Sequence, residues 1–154
     1  MEVRKFRESD AKELWSLFYN TIHTVNSQDY DANQIAAWAP DDFDINLAIQ
    51  KFKTIDPFVV TEEEKIVGYA DIQADGYIDH FYCHHDFQRQ GVGSMLFATL
   101  EKEAKEKGIL TMHSNVSITA RPFFESMGFS VEKEQVVQVK GQNLKNYKMI
   151  RRHG

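Results

Sequence analysis

The chain has one cysteine, Cys83, in 154 residues. No intrachain disulfide is possible, so stability has to come from a packed core, and a reducing cytoplasm is the expected compartment. Apolar runs are short as well. Nothing approaches the roughly 20 consecutive residues that span a membrane, and the charged opening MEVRKFRESD lacks the apolar segment of a secretory leader. Basic charge is scarce: 18 Lys and Arg against 23 Asp and Glu leave a formal net charge of −5. Neutralising phosphates takes a basic face, so nucleic acid is not expected as the main partner. No repeat, linker or low-complexity segment interrupts the sequence, which reads as one domain over residues 1–154.

What is present is an ordinary globular composition, 42% hydrophobic and 27% charged. EVRKF reads as a short strand. Ser9 precedes DAKELWSLFYNTIHTV, where Leu14, Leu17, Phe18 and Ile22 recur at helical spacing. DANQIAAWAP is a second short helix ended by Pro40, and DINLAIQKFKT supplies further helical turns. PFVVTEE, KIVGYADIQ and YIDHFYCHH form a three-strand meander joined by tight turns. A helix from Val92 to Lys107 follows, with Val92, Leu96, Leu100 and Ala104 as its apolar stripe and Gly108 as its stop. ILTMHSN is a buried strand, SITARPFFESMG a helix, and FSVEKEQVVQVKG with LKNYKMIRR a closing hairpin around Gly141 and Asn143. That order predicts an α+β fold, a mixed and mostly antiparallel sheet flanked by helices.

The stretch DFQRQGVGSMLF sets two glycines, Gly91 and Gly93, at the start of a helix, where glycine costs about 1 kcal/mol against alanine. A strand, then QRQGVG, then a helix aims unpaired amides and the positive end of the helix dipole at one point, which suits a phosphate. Charged hydrogen bonds contribute about 1.5–3 kcal/mol each, enough to offset the glycines. Arg89 either adds a charge there or sits in solvent. Taken alone, Gly-x-Gly also satisfies plain helix-start geometry. It is neither a Walker loop, for which the Lys-Ser/Thr is missing, nor a dinucleotide fingerprint, because Leu96 stands at the third glycine position.

Gln88-x-x-Gly91-x-Gly93 after HFYCHHDF resembles the acyl-CoA-binding motif of the GCN5-related N-acetyltransferases, the GNAT superfamily. VRKFRESDAKELWSLF is similar to that family's first strand and helix, KIVGYADI to its third strand, and SITARPFFESMGF to its downstream helix. The resemblance implies the acyl-CoA N-acyltransferase fold with acetyl-CoA as co-substrate. It also implies a fourth strand that splays from the fifth to admit the pantetheine arm against Phe81, Tyr82 and Cys83. The pyrophosphate then falls on Gln88, Arg89, Gln90, Gly91, Val92, Gly93 and Ser94. Ser117 stands where the family has Asn.

The implied reaction is attack of an amine on the acetyl thioester, which needs a base, a donor to the oxyanion and a proton for the leaving thiolate. The family's Glu base falls at Tyr77. Asp79, two residues on and so on the same face of a regular strand, is the candidate base; alternatively it bonds within the sheet or binds substrate. The family's Tyr acid falls at Phe124, which has no proton to give. Tyr147 and Tyr82 are the candidate replacements, and water protonating the thiolate is the alternative. His23, Tyr30, Trp38 and Tyr77 are the candidate amine-site residues, though Trp38 reads equally as core. Acidic residues in the first half, Asp29, Asp31, Asp41, Asp42, Asp44 and Asp56 among them, suggest either a solvated surface or a rim that favours a polyamine, aminoglycoside or lysine-like amine. No metal site is expected, because His84 and His85 would point to opposite faces of a strand. Cys83 reads as a small buried residue rather than a nucleophile. The expected function is acetyl transfer from acetyl-CoA to a primary amine of a small molecule or peptide. The alternative is a non-catalytic acyl-CoA-binding module, and a homodimer is compatible with the resemblance.

Overall fold

The computed structural model describes residues 1–152. Its first strand, β1 (Glu2–Lys5), leads into α1 (Ala11–Thr24), whose Leu14, Leu17, Phe18 and Ile22 are buried as their spacing predicts. Ser9 does not cap this helix. Asp10 stands at the cap, and its carboxylate grips the Arg4 guanidinium at 2.8 and 2.9 Å and the Arg7 amide at 2.8 Å. Those bonds, Arg4's above all, hold its pKa below the ordinary carboxylate value. α2 (Ala32–Trp38) opens with a capping box between Asp31 and Gln34, and α3 (Ile45–Ile55) opens with Asp44 bonded to the Asn46 amide.

Next come β2 (Phe58–Glu62) and β3 (Lys65–Ala70), then a strand broken in two, β4 (Tyr77–Ile78) and β5 (Phe81–Cys83). α4 (Val92–Glu106), β6 (Thr111–Ser117), α5 (Arg121–Ser126), β7 (Ser130–Val139) and β8 (Gln142–Arg152) follow. The strands form two groups, ordered β1-β2-β3-β5 and β4-β6-β8-β7. Their pairings are antiparallel except for β4 with β6. The fold is the predicted α+β arrangement with one departure. YIDHFYCHH reads as one strand, yet the chain changes partner at Asp79 and His80, where its first half lies beside β6 and its second beside β3.

Helices α1, α2 and α3 cover one face of the sheet over Val59, Ile66 and Tyr69, while α4 and α5 cover the other over Val60, Val67, Met112 and Met149. Val92, Leu96, Leu100 and Ala104 are buried along α4. Each buried leucine contributes about 1.5–3 kcal/mol, more than a glycine in the first turn costs. The helix ends as expected: Gly108 adopts φ +69°, and the Ile109 amide returns to the Ala104 carbonyl at 2.8 Å. α5 is shorter than SITARPFFESMG suggests, because Ser117 Oγ accepts the Ala120 amide at 3.0 Å and holds residues 117–120 in a turn. Among the described residues no helix is long and apolar enough to cross a membrane.

Candidate active site

Gly91 caps α4 in the left-handed region at φ +85°, which an L side chain resists. A Cβ built there would meet nothing within 4 Å, so the space in front of it is open. No side chain caps the helix, and the first bond back runs from the Met95 amide to the Gly91 carbonyl. The amides of Val92, Gly93 and Ser94 therefore have no intrahelical acceptor. Arg89 is also left-handed, at φ +61°. Gln88 braces the bend from behind, its side-chain amide donating to the Cys83 carbonyl at 2.8 Å. Gly93 has a different reason from the one its motif suggests: an added Cβ would lie 2.9 Å from the Phe123 ring. It is glycine at least in part so that α5 can pack against the start of α4.

From this bend one cleft of about 840 Å³ runs along β5 to Asp79 and Trp38. The change of partner makes the room. β5 bonds to β3 on one edge, with the His84 amide on the Val67 carbonyl at 2.8 Å and the His80 carbonyl accepting from the Asp71 amide at 3.2 Å. Successive residues of a strand turn their polar groups to opposite edges, so Phe81 and Cys83 direct theirs away from β3, toward the opening beside β6. The Cys83 carbonyl also accepts Thr21 Oγ1 at 3.0 Å. The Cys83 thiol packs into the α4 side of the core, and burial pushes its pKa up to about 12, which makes it inert as a nucleophile.

At the other end Asp79 lines the cleft and is ion-paired with Lys51 at 2.5 Å. Trp38, Tyr82, Thr21, Asn26 and Ser117 also line the cleft, Thr21 on the Cys83 carbonyl and Asn26 on Ser117 Oγ. The Trp38 indole interacts with the Tyr82 hydroxyl, and burial raises the Tyr82 pKa well above that of a free phenol, so it keeps its proton at neutral pH. Phe124 is buried, edge-on to Phe81 and Phe129.

Several predicted residues lie outside the cleft lining. Tyr147 is buried on β8 under the Arg121 guanidinium, 4.5 Å from its ring centre. Tyr30 is a buried peg: its hydroxyl donates to the Lys145 carbonyl at 2.5 Å and accepts the Ile118 amide at 3.0 Å. His23 stacks on Tyr19 and bonds through Nε2 to the Ala39 carbonyl at 2.7 Å. Tyr77 lies against His113 and Asn115, and burial followed by the charge of nearby Asp79 raises its pKa. Most of the acidic residues named from the sequence have partners within the chain. Asp31 and Asp44 cap helices, Asp29 and Asp41 accept the hydroxyls of Thr119 and Tyr19, and Asp56 pairs with Lys5. Asp79 is the carboxylate among the lining residues.

The sequence reading missed Thr21, Asn26, Asn115 and Phe123, which come from α1 and from segments far along the chain and carry no local signal. It also missed His80, whose Nδ1 lies 2.9 Å from the Tyr69 hydroxyl among Phe18, Phe52 and Tyr82. Burial drives that imidazole down to about 4, so it is neutral. His84 and His85 do not point apart, since the strand ends at Cys83 and their rings stack at 4.4 Å beside Asp86. His84 Nδ1 accepts the Asp86 amide at 3.0 Å, which puts the proton of the neutral ring on Nε2.

Residues 26–151 match the Acetyltransferase (GNAT) domain family. The chain is 31% identical over 149 residues to the uncharacterized N-acetyltransferase YafP of Escherichia coli (strain K12), covering 97% of this chain and 94% of that protein. Its backbone superposes with a TM-score of 0.94 on a GCN5-related N-acetyltransferase from Rhodopseudomonas palustris, at 26% identity over 99% of this chain and 95% of that one. PaiA N-acetyltransferase from Thermoplasma acidophilum, solved in complex with coenzyme A, shares the fold with a TM-score of 0.77 at 18% identity, over 99% and 98% of the two chains.

Proposed function

This chain belongs to the GNAT acetyltransferase family and is an acyltransferase, and on that premise we propose that it transfers the acetyl group of acetyl-CoA directly to a primary amine held beside Asp79. The observation that carries the reading is the continuity of one cleft from the free amides of Val92, Gly93 and Ser94, past the edge of β5 that faces β6, to Asp79. The bend fits a diphosphate: open space before Gly91, amides without acceptors, and the positive end of a 15-residue helix. On the β5 edge the Phe81 main-chain groups and the Cys83 amide fit the amides of a pantetheine arm, while the Cys83 carbonyl is held by Thr21 and Gln88. Acetyl-CoA, when bound, supplies the activated acetyl thioester.

The residues of the chain then divide the work. Asp79 accepts the proton that the amine sheds, directly or through one water. The Phe81 amide, on the free edge nearest Asp79, donates to the oxygen on which negative charge develops. Tyr82, kept protonated by burial, gives the proton that the departing sulfur needs. Phe124 and Tyr147 have no part in this, the first for want of a proton and the second because it lies outside the cleft lining. With Asp79 already paired to Lys51 and the only carboxylate among the lining residues, the amine end favours a singly charged amine with a polar or aromatic body over a polyamine. A free buried thiol and a thioester donor both suit a reducing cytoplasm.

The test is thiol release from acetyl-CoA across a panel of amines and peptides. Turnover that disappears in Gly91→Glu and falls steeply in Asp79→Asn is expected. Release that stays at the no-enzyme rate across the panel would refute transfer.

A further inference from the structure

Asp71 is fully buried and has no part in the chemistry above. It follows β3 directly, and the register that pairs Ala70 with Phe81 would next pair Asp71 with His80. Half of that pair forms, the Asp71 amide donating to the His80 carbonyl at 3.2 Å. The other half is diverted. The His80 amide bonds to Asp71 Oδ1 at 2.6 Å, so the carboxylate takes the place of the residue's own main-chain carbonyl. Oδ2 accepts the Asp79 amide at 3.2 Å and Gln73 Nε2 at 2.7 Å. Gln73 in turn is tied to the Ile55 carbonyl, at the end of α3, at 3.1 Å.

Just before Asp79 the same strand is already committed to the other half of the sheet, with Tyr77 opposite His113, Ile78 opposite Ser114, and Ser114 Oγ on the Ile78 carbonyl at 2.7 Å. The amides of Asp79 and His80 sit between the two ladders, and a single carboxylate holds both. A buried carboxylate is tolerated when donors surround it, and three do so here. An amide in its place would turn an NH2 group toward one of the two backbone donors, leaving a clash of like groups.

We propose that Asp71 is the positioning residue of the pantetheine slot: its carboxylate fixes the point at which the strand changes sheets, and so sets how far β5 stands from β6 at Phe81 and Cys83. The inference rests on reading that slot as the acyl-CoA site. Titration calorimetry with two probes separates the two claims. Coenzyme A carries the pantetheine arm, whereas 3′-phosphoadenosine 5′-diphosphate carries the phosphates without it. Loss of one charge-assisted hydrogen bond corresponds to roughly tenfold or more in affinity. Asp71→Asn is therefore expected to weaken coenzyme A by at least about tenfold and to leave the fragment within about twofold. Gln73→Ala removes one of the three donors to Asp71 and, by a neutral bond's weaker contribution, should weaken coenzyme A about threefold, again sparing the fragment. It carries the test if Asp71→Asn fails to give a cooperative melting transition. Coenzyme A affinity unchanged in the folded variants, or equal losses for both probes, would overturn the positioning role. Failure of the wild-type protein to bind either probe would instead remove the acyl-CoA site itself, and the inference with it.

Discussion

The two ends of the cleft are made of different material. At the bend, Gly91 to Ser94 offer main-chain amides, and at β5 the offered groups are again main chain. Toward Asp79 the lining groups are side chains brought from α2, the strand break and β6. A site of backbone amides needs only a conformation, so it admits almost any side chain that leaves the conformation alone. A site of side chains depends on each residue's identity and on what packs behind it. The donor end is thus common to a family, and the acceptor end is where a member acquires its own substrate.

The contrast can be broken most forcefully at Gly91. Glutamate there must hold φ near +85° and put a carboxylate where phosphate would lie, so coenzyme A affinity should fall by more than about a hundredfold, with the melting temperature lowered only modestly. Calorimetry and a melting curve on one sample check both halves; retained affinity would mean that the bend binds nothing. Asp79→Asn probes the other end. The expected loss is about a hundredfold in kcat, from the loss of a general base, with coenzyme A affinity unchanged. A loss confined to coenzyme A affinity would move Asp79 from the acceptor end to the donor end.

Gly93→Ala sharpens the comparison from the packing side. Its Cβ would press on Phe123, and overpacking costs typically 1–3 kcal/mol, so urea unfolding should register destabilisation of about that size. Phe123→Leu in the same chain should recover part of it; no recovery would mean that Gly93 answers to the ligand alone. A smaller effect concerns His80. Its pKa is about 4 in the fold against about 6.5 in an unfolded chain. The unfolded chain therefore takes up more protons between those values, and stability should decline as pH falls from about 6.5 to about 4, by at most about 1.4 kcal/mol per pH unit. Asp71 opposes this, because burial raises its pKa and lets the fold take a proton first. Unfolding at pH 7, 5.5 and 4.5 should show a flatter slope for His80→Gln than for the parent. The smallest expected effect is at Tyr147. Its phenylalanine variant should keep kcat within about twofold, because a group outside the reacting site contributes little to the transition state.

The stripe Val92, Leu96, Leu100, Ala104 and the stop at Gly108 were legible because helical spacing and capping are local rules, obeyed within one turn. The glycine at the start of α4 was legible as an anion-binding bend, while its left-handed φ of +85° came from the fold. The strand break at Asp79 was not legible. Alternation runs smoothly through Tyr77, Asp79 and Phe81, and the carboxylate that interrupts it lies eight residues earlier, at Asp71. The aromatic candidates went the same way: Trp38 reached the cleft, whereas Tyr30 and His23 became fasteners for Lys145, Ile118 and Ala39.

By itself, then, the order of residues determined the elements, the buried stripes and the unpaired amides of the bend, since each is decided by neighbours within a few positions. The folded chain alone decided that Gly93 yields to Phe123, that most of the acidic residues are spent on caps and pairs, and that Asp79 faces the cleft while Tyr147 does not. Those outcomes depend on which distant groups meet, and hydrogen-bond partners and ring contacts separated by tens of residues leave no period along the sequence to be read.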